Sequence, residues 1–260
     1  MTDATAFARL RAAGFKGAAK RIEDTDLPRI GALIGVGEDE LHAIIDVESA
    51  GSGFDALGRP KILFEPHVFY RHLGAGAKRD RAVSLGLAYA SWGQKPYPKD
   101  SYPRLLQALL IDETAALKSA SWGMTQILGE NFKECGYASP QEMVAAFCED
   151  EDQHLQATIL LIKAKGLAGA LKAHDWAKVA RGWNGPGYAK NKYDIKLRDR
   201  FAFWKKIPDT PYNPHAPARQ RDPMAAITAP TPAPAPVPAP APAPGGGLMA
   251  AFLSLFTKKA

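Results

Sequence analysis

Proline stands at every second position from Pro230 to Pro244, eight in all, and that alternation limits where this chain can fold. Each proline fixes φ and removes a backbone donor, so neither a helix interior nor a central strand survives there. Extended polyproline II is the expected form, a semi-rigid spacer. With 208–229 as an irregular lead-in, the folded part is expected to end near Ile207. About 200 residues then remain, ample for one sizeable core.

Four segments are expected: a basic N-terminal extension over 1–21, a folded domain over 22–207, a Pro/Ala-rich linker over 208–247, and a short amphiphilic tail over 248–260. The tail reads LMAAFLSLF followed by TKKA. As a helix its apolar part reaches only about 14 Å, roughly half the hydrocarbon thickness of a bilayer. Two readings stand: an interfacial segment with Lys258 and Lys259 near anionic headgroups, or a functionally minor end. The N-terminal MTDATAFARLRAAGFKG lacks a continuous apolar stretch, so no general secretory signal is expected.

The formal net charge is +6. The excess concentrates in Arg9, Arg11, Lys16, Lys20 and Arg21, and again in 190–206, where seven Lys/Arg face two Asp. This balance favours a polyanion: nucleic acid, anionic lipid or a negatively charged cell wall. Tyr193, Phe201, Phe203 and Trp204 interleave with the second cluster, but at helical spacing they read as the buried side of a terminal helix. No nucleic-acid partner is expected. Cys135 and Cys148 lack a clustered histidine and the six histidines are scattered, so no metal and no cofactor is expected. Both cysteines read as reduced thiols.

The pattern is mainly α with one small β-hairpin. Glu38–Glu48 carries Leu41, Ile44 and Ile45 as an apolar stripe. The 54–65 stretch, with a Gly58-Arg59-Pro60 turn, reads as the hairpin or turn–strand unit. Further helices are expected over 104–117, from a Ser139-Pro140-Gln141-Glu142 capping box to about Lys165, then over 167–173, 175–183 and 193–206. The 74–93 region has no clear period.

One residue breaks the α pattern chemically. Glu48 occupies the i+7 position of the apolar stripe, directly before Ser49-Ala50-Gly51-Ser52-Gly53. A carboxyl set among apolar neighbours keeps its proton, because burial penalises the charged form. That suits a general acid working near neutral pH.

Three motifs follow in order: Glu48-Ser49-Ala50-Gly51 at a helix end, Ser121-Trp122-Gly123-Met124-Thr125-Gln126-Ile127 read as opening a helix, and Gly182-Trp183-Asn184-Gly185-Pro186-Gly187-Tyr188 at a helix break. This order resembles the lysozyme-like superfamily, especially goose-type lysozymes and lytic transglycosylases. More closely, VESAGSGFDALGRPKILFEPHVFY, SWGMTQILG and WNGPGYAKNKYDIKL are similar to the N-acetylmuramidase family of phage endolysins and bacterial genomes. The resemblance runs from about Asp24 to Ile207. It implies a lysozyme-like fold and cleavage of the glycan bond between N-acetylmuramic acid and N-acetylglucosamine in bacterial peptidoglycan. A lytic transglycosylase using the same glutamate is the nearest alternative, and a non-catalytic wall- or membrane-binding protein the next.

On that resemblance Glu48 is the general acid and Glu65, at the end of the following strand, the first candidate for a second carboxyl. Glu65 reads equally well as a strand-end residue bonded to a backbone amide, and a positioned water could replace it. Gln126, Trp183, Asn184 and Tyr188 are candidate substrate contacts. Each has an ordinary alternative, as a helix cap, a packing anchor or a turn former. The implied setting is a monomer made in the cytoplasm that reaches the wall by holin-type, injected or lytic release.

Overall fold

The computed structural model describes residues 3–49 and 51–212; the Pro/Ala stretch and the amphiphilic tail lie outside them. The compact body ends at Pro211. It is built from α1 (Asp3–Ala12), α2 (Asp26–Gly31), α3 (Glu38–Glu48), β1 (Ile62–Phe64), α4 (Pro66–Leu73), α5 (Ala77–Ser84), α6 (Tyr102–Leu109), α7 (Glu113–Lys118), β2 (Ala120–Trp122), β3 (Ile127–Leu128), α8 (Pro140–Glu149), α9 (Glu151–Ala164), α10 (Ala168–Lys172), α11 (Trp176–Asn184) and α12 (Tyr193–Trp204). The mainly α architecture with a small antiparallel element is as the sequence implies.

The sheet is larger than a local hairpin. Its order is β1-β2-β3, antiparallel throughout, with Ile62 opposite Trp122 and Ser121 opposite Leu128. The 54–60 turn forms, with Asp55 N donating to Arg59 O at 2.8 Å, but its pairing amounts to a single bridge between Phe54 and Pro60, and the main partner of β1 arrives from the second motif. That motif is therefore a β-hairpin and not a helix start. Gly123 (φ 74°) and Gln126 (φ 53°) both lie in the left-handed region, which closes the turn and forbids a helical run.

Two expected long helices are each divided, and for one reason. Asp112 and Asp150 leave the helical conformation, and their carboxylates accept from Ala115 N (2.9 Å) and Asp152 N (3.0 Å) to start α7 and α9. The Ser139 cap forms as expected, accepting from Glu142 N at 3.1 Å. α5 lay hidden because Ala82 is its only buried residue, so no apolar stripe announces it.

Trp122, Phe64, Phe69, Phe147, Leu41, Leu105 and Met143 form the centre of the core. The N-terminal segment contributes to it. Phe15 is fully buried, its ring 5.6 Å from Tyr102 and 5.9 Å from Trp122, which is worth about 2–3 kcal/mol of burial. Farther on, Lys20 bridges to Asp150. Cys135 and Cys148 are both free and buried. Among the described residues no acid, His or Cys cluster suits a metal ion, and no helix is long and apolar enough to cross a membrane.

Candidate active site

α3 begins where Glu40 reaches back to accept from Gly37 N at 2.9 Å, and it buries Leu41, Ala43 and Ile44 before ending at Glu48. α12 is clamped along it. The Trp204 indole stacks on His42 with ring centroids 3.7 Å apart. Trp204 Nε1 and Arg200 Nε both donate to Asp46 Oδ2, at 2.7 and 2.6 Å. This clamp brings Leu197 beside the acid, where Ile44, Ile162, Val179 and Trp183 complete an apolar wall.

Burial in that wall pushes the Glu48 carboxyl up to about 7. Hydrogen bonding from Asn184 (Nδ2 to Oε1, 3.5 Å) and Trp183, and the charge of Lys196, act in the opposite direction. The residue as a whole is only partly covered, while its carboxyl lies within the apolar wall. Tyr193, buried beside it, has its phenol pushed up to about 12, first by burial and then by the Glu48 charge. The Glu48 carboxyl, at about 7, exists as a mixture of acid and carboxylate near neutrality, the condition for proton donation at that pH.

The loop after Glu48 is held by a second acid. Glu151 is fully buried at the start of α9. Its Oε1 accepts from Gly53 N (2.7 Å) and Ser52 Oγ (3.0 Å), and its Oε2 accepts from Arg21 Nε (2.8 Å) and Ile22 N (3.1 Å). One turn on, His154 joins the first two motifs. Its Nδ1 accepts from Met124 N at 3.2 Å, which leaves Nε2 to donate to Phe147 O at 2.7 Å. Burial lowers its pKa to about 4, so the ring is neutral. A Cβ at Gly53 would sit 2.4 Å from His154 Nδ1, and one at Gly123 2.8 Å. Both positions demand glycine because the imidazole fills the space.

The remaining candidates are distributed around this frame. Asn184 is buried beside Glu48 and its Oδ1 has no partner among the described residues. Trp183 is 6% exposed, so it forms the acid's wall and offers no open platform. Tyr188 is half-buried on a 3-10 turn over Tyr188–Asn191, with the Arg181 guanidinium 5.3 Å above its ring. Gln126 caps no helix: its amide nitrogen donates to Gly123 O (2.8 Å) and Lys61 O (3.1 Å), tying the β2–β3 turn to β1.

Glu65 is fully buried and precedes α4. Its Oε2 accepts from the Tyr97 hydroxyl and lies 3.4 Å from His67 Nδ1, while Oε1 has no partner among the described residues. Glu65 is not among the groups acting on Glu48, all of which come from α11 and α12. Sequence reasoning missed Glu151, His154, Tyr193 and Lys196 as parts of the site. Only Tyr193 and Lys196 left a trace, lying in the third motif's own neighbourhood.

A helical body carrying a small antiparallel sheet, with a desolvated glutamate at a helix end, defines a lysozyme-like protein. Residues 38–205 match the N-acetylmuramidase family, and the chain belongs to that family. It is similar to the crystal structure of Burkholderia AP3 phage endolysin, with a TM-score of 0.67 and 33% sequence identity over 76% of each chain. No curated protein matches it. The protein is thus a peptidoglycan-degrading enzyme of the endolysin-like kind.

Proposed function

We propose that the enzyme is a glycoside hydrolase that cleaves the bond between N-acetylmuramic acid and N-acetylglucosamine, with Glu48 as the general acid. The observation that carries this reading is the position of Glu48 against Ile44, Ile162, Val179, Trp183 and Leu197, which holds its acidity near neutral. Protonated Glu48 donates to the glycosidic oxygen as the C1–O bond lengthens, and positive charge grows on the sugar ring. The resulting carboxylate is received by Asn184 and Trp183, which favour its charged form. Tyr188 presents a ring to the sugar, and Gln126 keeps the β2–β3 turn in place.

Glu65 serves as the second carboxyl on one condition, that Tyr97 gives way to expose it. Glu65→Gln is then expected to lower kcat by about 10²–10⁴. A loss under about tenfold would assign the second step to a water molecule.

The test of the bond cleaved is product analysis of purified wall. Muropeptides ending in reducing N-acetylmuramic acid are expected. Release of anhydro-muramic ends alone would replace hydrolysis by transglycosylation. That reaction needs no second acid, because the sugar's own hydroxyl attacks. The enzyme acts as a monomer without cofactor or nucleic acid, and meets the wall after holin-type, injected or lytic release. The amphiphilic 248–260 segment adds contact with an anionic membrane.

A further inference from the structure

Between α4, α5 and the segment that follows them the surface opens into a groove of about 680 Å³. Tyr70, Arg79, Asp80, Tyr89, Gln94 and Lys95 line it. The Arg79 guanidinium lies 4.5 Å above the Tyr70 ring and the Lys95 ammonium 5.2 Å from the Tyr89 ring centroid. Neighbouring cations are spent on acids: Lys78 on Asp112 at 2.7 Å, Arg71 on Glu130 at 2.8 Å. Among the described residues Arg79 and Lys95 have aromatic neighbours and no acid partner.

We infer that this groove binds the short peptides attached to the glycan, with Arg79 and Lys95 receiving their free carboxylates. The inference rests on the hydrolase reading above. A guanidinium laid on an aromatic face keeps its in-plane N–H donors available, and those donors match a carboxylate in pairs. Gln94 and Ser84 supply amide and hydroxyl groups suited to peptide bonds, and the tyrosine faces suit alanine methyls. A nucleic acid would need an unbroken cationic track, which Asp80 interrupts.

The groove is also well placed. Tyr89 is fixed by its N–H donating to Pro66 O at 3.2 Å and its hydroxyl to Gly86 O at 2.8 Å, and Pro66 follows Glu65. β1 joins it to the acid loop, because Lys61 N donates to Gly53 O at 2.7 Å. From Lys61 along β1 and the first turn of α4, Tyr70 is at most about 23 Å away. A glycan strand that leaves Glu48 in the direction of α4 would bring its next peptides to the groove.

The test compares wild type with the Arg79→Gln/Lys95→Gln double variant on purified, lipid-free sacculi, and on the same sacculi with peptide carboxylates converted to amides. On native sacculi the variant's KM is expected to rise about three- to tenfold, with kcat within twofold. On amidated sacculi the two enzymes should have equal KM. Equal KM on native sacculi overturns the inference, and so does a deficit that persists undiminished after amidation. If wild type itself releases no reducing ends from either substrate, the hydrolase reading fails and this one with it; an active wild type and an indifferent variant sink this one alone.

Discussion

Glu48→Gln is expected to lower wall-digesting activity by about 10²–10⁴ and, at pH 8, to make the protein more stable. The amide has nearly the shape of the carboxyl and can still accept from Asn184, so the pocket should stay intact. What it loses is the proton. In the native enzyme the activity on wall should fall as pH rises through about 7, where Glu48 gives that proton up.

The stability effect follows from the same shift. The folded-state pKa of about 7 exceeds the ordinary value of 4.5, so the folded chain binds the proton more tightly than the unfolded one. The associated stability is complete below about pH 4.5 and is lost as pH rises through about 7. Its size is about 3 kcal/mol. Glutamine cannot ionise and escapes that loss. Thermal melts should therefore show a gain of several degrees for the variant at pH 8 and none at pH 4. Retained lysis by a well-folded Glu48→Gln protein would remove the acid from the mechanism altogether.

Glu151→Ala should be the most damaging substitution outside the acid itself. The carboxylate is fully buried, and four donors depend on it, from Arg21, Ile22, Ser52 and Gly53. Two of those donors are backbone N–H groups, which cannot turn away to find water. Arg21 is largely exposed and can turn to water, but each buried N–H group left without an acceptor costs about 1–3 kcal/mol. Urea unfolding should show that loss. Activity measured well below the melting point should drop as well, because the loop following Glu48 loses its anchor. A stability change under about 1 kcal/mol would mean that Arg21 and the loop are held by other contacts.

The parts of this molecule visible in the sequence are those written in local pattern. Leu41, Ile44 and Ile45 announced α3, Ser139 and Asp175 announced their helices, and Glu48 stood out because it interrupts a stripe. The parts that were not visible depend on partners distant in the chain. Nothing near Ile62 names Trp122 as its strand partner, and Gln126 looked like a cap because its left-handed backbone has no signature in its side chain. Asp112 and Asp150 are common on helix surfaces, so their capping geometry could not be told from solvent exposure. Phe7 and Phe15 stand in the segment read as a basic extension, yet they are part of the core. Glu151 and His154 occupy a helix whose other residues already explain it. Their meaning comes from Gly53 and Gly123, which only the folded chain brings beside them.

The clasp of α12 on α3 has a consequence for the cell that makes the enzyme. Glu48 is synthesised early, but three of the side chains that keep water from it, Val179, Trp183 and Leu197, come from residues 176–204. Until that last helix docks, the reactive group has the acidity of any surface glutamate and poses little threat. The acid is armed only once α12 has docked.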